Sequence, residues 1–582
     1  MGREKKIKID WISNSLEGDY ISLTNYVEKN SSLIRSEYIN IIDSLECLKK
    51  SNNFIKSYYK CLDDYDLLDM SLLSEKSFYK SPEINVVIKL IGLDKLIFKL
   101  NPDTVVLKNL PKKVEKIISE YCVMKKIKFS TISSRDVDKK KKFYKYFPYT
   151  IQAILWLLLK YFDFLRSNNR KLKNIYTTKN SIFAIGYFTH IDIDRLYRGE
   201  FYSGMWGRFT EACKLKNLKI NFLHHYIPNK HTISQAIGNS QLNILNKSNF
   251  NSHSFISNHS SQKIFFKIFK IYLSKILFQK KQKKLIYDHF RNLSNFNLIQ
   301  IIEESIESSL TGIVLMENLY YIVHFDEFFK NLENQKLGFY LMENQSWEFA
   351  LVNAWKKHLH GRLYAIQHST VSFWDLRYNN PFLNKKFKPD KFLVNGDAAM
   401  QHFMDFNYPS NDTYLIEAIR YLKLELNNSN PSGSNKLVFG DIISDNTNKM
   451  LSLVKPIAKN DIINNWYFKS HPANEIKVDF KNDGLIETND SIYKLFKKSN
   501  TVICPSSSGV ALEAYLAGLK VIVFNQPGEI NTSPLFKIEG VSFVSNTRQI
   551  EDALNEKNNF KKKLNFFDLD SKLGKLNQLL YL

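Results

Sequence analysis

A turn with three consecutive hydroxyl groups is the sharpest local signal of chemistry in this sequence. It lies in CPSSSGVALEAYLAG, where a strand-like apolar run ends and a helix-like run begins directly afterwards. Backbone N–H groups at the start of a helix are free to donate, and hydroxyl groups beside them complete a site for a phosphate. Ser506, Ser507 and Ser508 therefore predict a phosphate site, with a simple serine cap on the helix as the alternative.

Two further residues belong to the same predicted unit. Glu513 lies about one turn into the predicted helix, where its carboxylate is placed to accept hydrogen bonds from ribose hydroxyls. Pro472 favours an extended backbone for His471 and so fixes its imidazole at the end of the strand-like run NWYF. Open α/β sheets bind ligands at such strand ends, and a histidine there can assist the departure of a phosphate leaving group. An ordinary loop histidine is the alternative.

A second set of polar residues follows two apolar runs farther upstream. Glu343 comes directly after the run LGFYLM, and His368 ends the next run, RLYAIQH. We predict that Glu343 supplies the catalytic carboxylate and that His368 serves as base or orients it. The alternative for Glu343 and Glu348 is a favourable position in the first turn of a helix.

Several other classes of chemistry lack the residues that they need. Asp192 and Asp194 beside His190 resemble a metal-binding pair, but no further ligand spacing supports them, so neither a metal nor another cofactor is expected. The sequence has no GxxxxGK[ST] loop and no convincing GxGxxG after a strand. It also has no zinc-finger or RNA-recognition signature, so nucleic acid is not an expected partner.

Alternating strand-like and helix-like runs predict the α/β units that would position these residues. The run TVVL, a Pro-started helix and the run IKFSTIS form a βαβ pattern from Thr104, and the residues before it are predicted to be largely helical. Residues 229–262 are rich in Asn, Ser and His, which predicts a surface excursion. The predicted divisions are an N-terminal α/β region at 1–135, a linker and helix at 136–180, a Rossmann-like domain at 181–426 with a basic helical insertion at 250–300, a linker at 427–435, a second Rossmann-like domain at 436–560 and a tail at 561–582.

The composition is that of a globular chain with a strongly basic balance. Of 582 residues, 44% are hydrophobic and 24% charged, and the formal net charge of +24 favours anionic partners. The five cysteines are scattered without a CxxC pair, which favours a reducing, cytoplasmic location. The basic N-terminus lacks the apolar stretch of a secretory signal, and no run approaches the length of a membrane span.

One segment combines lysines with apolar residues and has no acidic residue. In Lys263 to Lys284, Lys263, Lys267 and Lys270 recur at helical spacing among Phe and Ile. This composition predicts an interfacial helix that attaches the protein to an anionic membrane surface from the cytoplasmic side. The alternative is a solvated helix whose apolar side packs on its own domain.

An ordered set of motifs resembles a known group of proteins. The motifs are ENQSWEFALVNAWKKHLHG, LYAIQHSTVSFWDLRY, KPDKFLVNG, EAIRYL, GDI, KSHPA, CPSSSGVALEAYLAGLKVIV and NTSPL. Together they look like bacterial surface-carbohydrate biosynthesis proteins of O-antigen and capsule clusters, which are similar to GT-B glycosyltransferases. The resemblance covers about residues 181–550, and it implies two Rossmann-like domains that face a cleft.

The His-Pro and serine motifs also resemble those of bacterial sialyltransferases and Kdo transferases, which use CMP-activated acidic sugars. The resemblance implies that His471, Ser506 and Ser507 contact the cytidine phosphate of the donor. The candidate donor-binding set is His471, Pro472, Ser506, Ser507, Ser508, Glu513, Asn531 and Ser533. The acidic motif that precedes His-Pro in sialyltransferases has no clear copy here, so the base is not implied by the resemblance.

The sequence thus predicts a glycosyltransferase with a nucleotide-sugar donor, most simply a CMP-linked 2-keto-acid sugar, and a glycan or lipid-linked glycan acceptor. A UDP- or GDP-hexose or a CDP-polyol phosphate is the alternative donor. A catalytically silent binding protein of a carbohydrate cluster is the alternative of a different class.

Overall fold

The fold was analysed in a computed structural model. It describes residues 4–13, 19–45, 48, 60–61, 65–78, 80–132, 134–135, 146–167, 181–248, 250–291, 293–379, 388–427, 433–472, 474–556 and 566–580. Most of the predicted linker at 427–435, together with residues 136–145 and 168–180 of the predicted linker and helix, lies outside these ranges.

The C-terminal domain is built on a six-stranded parallel sheet of Val-, Ile- and aromatic-rich runs. The strand order is β18-β17-β16-β19-β20-β21, which is the 3-2-1-4-5-6 order of a Rossmann fold. The strands are β16 (Asn435–Phe439), β17 (Trp466–Lys469), β18 (Ile486–Glu487), β19 (Ser499–Pro505), β20 (Lys520–Phe524) and β21 (Val541–Val544).

The middle domain repeats this order with one strand more. Its seven parallel strands run in the order β11-β10-β9-β12-β13-β14-β15. They are β9 (Ser181–Tyr187), β10 (Lys219–His225), β11 (Ser252–Phe255), β12 (Leu337–Met342), β13 (Arg362–Gln367), β14 (Lys391–Val394) and β15 (Thr413–Leu415). The predicted α/β class with two Rossmann-like domains is thereby confirmed.

An N-terminal α/β layer precedes them. Its parallel sheet has the order β2-β1-β5-β7, with two short two-stranded sheets beside it. The strands are β1 (Lys6–Asp10), β2 (Ile21–Ser22), β3 (Lys60–Cys61), β4 (Tyr65–Asp66), β5 (Thr104–Lys108), β6 (Leu110–Pro111), β7 (Lys128–Thr131) and β8 (Ser134–Arg135). The predicted βαβ pattern from Thr104 is confirmed by the parallel pairing of β5 with β7.

Helices cover the sheets of all three layers. They are α1 (Leu23–Lys29), α2 (Ser31–Asp43), α3 (Glu83–Leu100), α4 (Lys112–Met124), α5 (Tyr149–Ser167), α6 (Ile193–Tyr197), α7 (Phe209–Leu215), α8 (Gln235–Asn246), α9 (Gln262–Ile276), α10 (Gln279–Arg291), α11 (Ile299–Leu310), α12 (Ile313–Asn331), α13 (Ser346–Lys357), α14 (Asp397–Asp405), α15 (Ser444–Asn460), α16 (Phe480–Asp483), α17 (Ile492–Lys497), α18 (Val510–Leu516), α19 (Thr547–Asn555) and α20 (Gly574–Leu579). None of the helices in these described ranges is long and apolar enough to cross a membrane.

Two predictions about elements are wrong. Residues 229–262 are not a surface excursion, because they form α8 and the fully buried strand β11. Hydrogen bonds satisfy the polar side chains there: the Ser252 hydroxyl donates to Asn221 at 2.6 Å, and His253 contacts His224 at 3.1 Å. The basic helical insertion therefore begins at α9 and not at position 250. The described residues before Thr104 are largely helical, as predicted, and they add strand β1, which pairs with β5.

The described end of the C-terminal tail packs against the middle domain. Helix α20 returns to the middle domain, where Leu576 is buried with Ile182 and Ile220 of the middle sheet. The backbone N–H groups of Lys575 and Leu576 donate to the buried carboxylate of Glu417 at 2.6 and 2.9 Å. The predicted tail at 561–582 is thus partly a docked helix.

Buried histidines give the fold a predictable response to acid. Burial lowers the pKa of His225 and His253 to about 3 and that of His324 to about 4, so each is neutral in the folded protein at pH 7. The unfolded chain, with pKa values near 6.5, binds more protons than the folded chain between pH 6.5 and pH 4. We expect stability to fall as pH falls through that window, by about 2 kcal/mol per histidine at pH 5.

The measurement is the apparent melting temperature at pH 7, 6 and 5. His225→Phe should weaken this pH dependence, because its Nε2 has no hydrogen-bond partner among the described residues and its ring packs against Trp347 at 4.3 Å. The exposed His231 supplies the control His231→Asn. Equal melting temperatures at pH 7 and pH 5 would show that these histidines are not buried and neutral.

Candidate functional site

The two Rossmann-like sheets present their carboxyl ends to one region. In each sheet the strand order reverses between the first and fourth strands, and ligands of open α/β sheets bind at that point. His190 follows β9 of the middle sheet, and His471 follows β17 of the C-terminal sheet. Burial lowers the pKa of His190, and the charges of Arg420 and His471 lower it further. The ends of the two sheets at their switch points therefore lie near each other, and the space between them is called the cleft below.

Glu343 follows β12 on the middle-domain side of the cleft. Its Oε1 lies 3.6 Å from Nε2 of His368, and its Oε2 lies 3.7 Å from a terminal nitrogen of Arg377. Burial raises the pKa of this carboxylate, but Arg377 and His368 outweigh burial and hold the pKa below its ordinary value. Glu343 is therefore ionised at neutral pH, as a proton acceptor must be.

His368 follows β13 beside it, as the two strand-like runs predict. The side chain is buried, and neither ring nitrogen has a hydrogen-bond partner among the described residues. Burial lowers the pKa of His368 to about 4 despite the nearby Glu343 carboxylate, so the imidazole is neutral at pH 7. The structure thus brings together the two predicted catalytic residues of the middle domain.

Glu348 has the structural role that the sequence offered as its alternative. It is fully buried, and its carboxylate accepts the backbone N–H groups of Glu343, Asn344 and Gln345 at 2.9–3.1 Å. These bonds cap helix α13 and fix the turn that carries Glu343. Gln345 in the same turn accepts a hydrogen bond from Tyr187 at the end of β9, at 3.0 Å.

On the opposite side, the serine turn follows β19 and is tied to Asp441. The hydroxyl of Ser507 donates to Oδ2 of Asp441 at 2.9 Å, and Asn446 donates to the same oxygen at 2.8 Å. Asp441 is buried and follows β16, so this pair spans the switch point of the C-terminal sheet. A Cβ added at Gly509 would meet no atom within 4 Å, so the turn borders open space.

The remaining hydroxyls of the turn are partly exposed. Ser506 and Ser508 are half-buried, and the Ser508 hydroxyl accepts the backbone N–H of Val510 at 3.4 Å. The N-cap position of this helix is Gly509, and no side chain caps it. The serine cap offered as the alternative is therefore not formed, and Ser508 only contacts the first residue of the helix.

His471 follows β17 and lies beside the same carboxylate. Burial lowers the pKa of its half-buried imidazole, and the charge of Asp441 opposes that shift. Its backbone N atom lies 3.2 Å from the position that a Cβ on Gly440 would take, so only a glycine lets β16 and β17 end this close together. The adjacent Pro472 is exposed. His471 and the serine turn, which the sequence predicts to act together, are therefore close in space, with Asp441 between them.

Arg420 lies at the junction of the two domains and was not predicted as a site residue. Its charge affects the ionisation of His190 and His368 on the middle-domain side. It also affects Glu513 and Tyr493 on the C-terminal side. A guanidinium in this position presents a fixed positive charge to both walls of the cleft, which suits an anionic ligand.

Glu513 is already engaged by a neighbouring side chain. Tyr493 donates its hydroxyl to the Glu513 carboxylate at 2.8 Å, and burial raises the pKa of that carboxylate. Contact with a ribose would require Glu513 to share or exchange this bond, and the role stays a prediction.

Asn531 and Ser533 lie in a buried turn after β20, next to the N-terminal layer. The Asn531 side chain accepts the backbone N–H of Ser533 at 3.1 Å, and the Ser533 hydroxyl accepts that of Leu535 at 3.2 Å. The backbone of Asn531 in turn binds Glu28 of α1. These contacts join the C-terminal domain to the N-terminal layer, and donor contact by either residue stays a prediction.

The acidic pair near His190 has a local function. Asp192 caps helix α6 by accepting the backbone N–H of Arg195 at 3.0 Å. Arg195 also lies 3.5 Å from Glu211, so the surrounding charges are used in a surface network. Asp192 therefore has a structural role at the start of α6.

Sequence reasoning missed Asp441 and Arg420. Asp441 had a usable signal, because Gly-Asp directly after the run KLVF places a carboxylate at a strand end. Arg420 had none, because its importance depends on how the two sheets approach each other.

No known protein family and no curated protein matches the sequence. Solved structures with a related chain path include UDP-GlcNAc 2-epimerase from Neisseria meningitidis bound to UDP-GlcNAc, at 11% identity and a TM-score of 0.35, over 64% of this chain and 90% of that chain. CalG4, the calicheamicin glycosyltransferase, matches at 9% identity and a TM-score of 0.36, over 69% and 94%. The lipopolysaccharide outer core galactosyltransferase WaaB matches at 10% and 0.31, over 64% and 88%. Substrate and mechanism follow only from the geometry of the site.

Proposed function

We propose that this protein is a glycosyltransferase that transfers a sugar from a nucleotide donor to a glycan or lipid-linked glycan acceptor in bacterial surface-polysaccharide biosynthesis. The observation that carries the proposal is the cleft itself. An ionised carboxylate, Glu343, lies on one wall, and hydroxyl, imidazole and guanidinium donors lie on the other wall and at the junction. That division suits a reaction in which one side activates an acceptor hydroxyl and the other holds a phosphate leaving group.

The reaction then assigns a role to each side. Glu343 accepts the proton of the acceptor hydroxyl. The Gln345 side chain donates a hydrogen bond to the carboxylate, and the neutral imidazole of His368 lies 3.6 Å from it. As the glycosidic bond to the nucleotide breaks, negative charge develops on the departing phosphate oxygen. His471, the serine turn and Arg420 supply hydrogen-bond donors and positive charge for that oxygen. Ser507 donates its one hydroxyl proton to Asp441 at 2.9 Å, so it must redirect this hydrogen bond to the phosphate when the nucleotide binds.

A CMP-linked 2-keto-acid sugar is the proposed donor. The His-Pro and serine motifs support this choice through their resemblance to sialyl- and Kdo transferases. A carboxylate on the sugar would also find a cationic partner in Arg420. UDP- or GDP-hexoses and CDP-polyol phosphates are the competing donors, and a silent binding protein is the competing function.

Nucleotide binding tests the proposal directly. We expect CMP to raise the apparent melting temperature more than CDP, UDP or GDP, because a ligand of the native state stabilises it. Ser507→Ala should weaken CMP binding by about 1 kcal/mol, roughly fivefold in Kd, through the loss of one net hydrogen bond. Titration of both proteins with CMP by calorimetry gives this difference.

Ser452→Ala is the matched control, since Ser452 is an exposed serine on the outer face of α15 in the same domain. Its Kd for CMP should equal that of the unmodified protein. A larger thermal shift with UDP or GDP than with CMP would mean that the donor is a UDP- or GDP-sugar and not a CMP-sugar. The absence of any shift, with no sugar transfer, would favour the silent binding protein.

A further inference from the structure

Helix α5 presents a continuous apolar stripe to the outside of the protein. Six large apolar residues recur at helical spacing along its exposed side, from the first turn to the last: Ile151, Leu155, Leu158, Leu159, Phe162 and Leu165. Leu159 is 65% exposed and Phe162 51% exposed, whereas the opposite side of the helix is buried. Water-exposed apolar surface of this extent on one helix marks an interaction site.

The stripe belongs to the middle domain. On its inner side α5 packs against α12, where the rings of Trp156 and Tyr320 meet edge to face at 5.7 Å. Helix α12 in turn packs against α13, the helix that begins directly after the Glu343 turn. The exposed stripe is therefore fixed to the same rigid layer as the proposed base.

Helix α9 lies antiparallel beside α5. Phe265 near its start contacts Tyr161 of α5 at 5.2 Å, and the Tyr272 hydroxyl lies 3.5 Å from the carbonyl oxygen of Thr150. The apolar residues of this segment divide between core and surface. Ile264, Phe265, Ile268 and Tyr272 are buried, whereas Phe266, Leu273, Leu277 and Phe278 are exposed.

Two of the predicted membrane-binding lysines are also engaged within the protein. Lys267 pairs with Glu327 at 2.8 Å, and Lys283 pairs with Glu307. Lys263 and Lys270 of α9 are exposed, as is Phe266 between them. The exposed side of α9 therefore adds two cationic residues, an aromatic ring and the exposed Leu273 next to α5.

The charges around the stripe select the partner. Lys160 and Arg166 are exposed on α5, and Asp163 is the one acidic residue of that helix. In the sequence, the basic runs KKKKFYK and RKLK stand before and after α5. An apolar stripe accompanied by the exposed cations Lys160 and Arg166, with Lys263 and Lys270 on the neighbouring helix, matches the layered chemistry of an anionic bilayer, with acyl chains below acidic headgroups.

We infer that the exposed face of α5 inserts into the surface of an anionic membrane, with the exposed lysines of α9 in contact with its headgroups. The inference goes beyond the proposed transfer reaction and holds for any chemistry in the cleft. It assigns attachment to the apolar face of α5 instead of the apolar residues of the Lys263–Lys284 segment.

Vesicle flotation of the full chain tests this inference. We expect binding to vesicles of phosphatidylcholine with phosphatidylglycerol and little binding to phosphatidylcholine alone. The double variant L159E/F162E should lower the partition coefficient for the mixed vesicles about tenfold or more. The control I462E/I463E alters two even more exposed apolar residues on the C-terminal domain and should bind as the unmodified protein does.

A second measurement does not depend on a charged variant that folds. Brominated lipid in the mixed vesicles should quench the fluorescence of the tryptophan added in Phe162→Trp. It should not quench the fluorescence of the tryptophan added in Ile462→Trp. Equal vesicle binding by L159E/F162E and the unmodified protein, or absence of quenching at Phe162→Trp, would overturn the inference. If L159E/F162E instead dissociates a dimer without changing vesicle binding, the stripe is a contact between two copies and the inference is wrong.

Discussion

Replacing Glu343 by Gln should lower kcat by about 10²- to 10⁴-fold while nucleotide affinity stays unchanged. The substitution keeps the size of the side chain and removes its capacity to accept a proton. Glu343 lies on the middle-domain wall, so a nucleotide bound at the serine turn would not lose a contact. The measurements are the turnover of donor and acceptor at saturation and the Kd for the nucleotide by calorimetry.

Glu333→Gln is the control, because Glu333 is an exposed carboxylate of the same domain. It should have normal turnover. Full activity of Glu343→Gln combined with loss of activity in His368→Gln would transfer the role of base to His368. The two carboxylate oxygens of Glu343 lie near His368 and Arg377, so a substitution there can also change stability. The melting temperature of each variant must therefore be compared with that of the unmodified protein before the rates are interpreted.

The sheets could be predicted where buried strands are continuous apolar runs. Runs such as KLVF, TVIC and KVIVF are buried on both faces of a parallel sheet, so their composition alone identifies them. The strand Lys6–Asp10 alternates charged and apolar residues and was not recognised within a stretch predicted to be helical. The strand Ser252–Phe255 contains Ser and His, and only hydrogen bonds to its neighbours make its burial favourable.

The candidate site was also only partly predictable from the sequence. Glu343 and His368 could be paired from sequence because each follows a strand of the same predicted sheet, and neighbouring parallel strands end side by side. The link from Ser507 to His471 runs through Asp441, a single residue after another strand, and no spacing rule selects it. The position of Arg420 depends on the angle between two domains, which the local sequence pattern does not encode.

Replacing His471 by Ala should lower kcat about 10²-fold or more, because the departing phosphate would lose the imidazole that stabilises its developing charge. The neighbouring Asp441 carboxylate makes phosphate binding depend on this imidazole. The carboxylate accepts the Ser507 hydroxyl and its charge acts on His471, yet an anionic phosphate would be repelled by Asp441 alone. His471 and Arg420 are therefore the groups that make the pocket suitable for a phosphate.

The exposed His231 gives the control variant His231→Ala, which should turn over normally. The decisive comparison is between donors with good and poor leaving groups. If His471 stabilises the departing oxygen, its removal should cost most activity with an ordinary nucleotide sugar and much less with an activated donor whose leaving group needs no assistance. An equal loss with both donors would mean that His471 acts in binding or folding, because only a contact with the leaving group depends on the charge that the group develops.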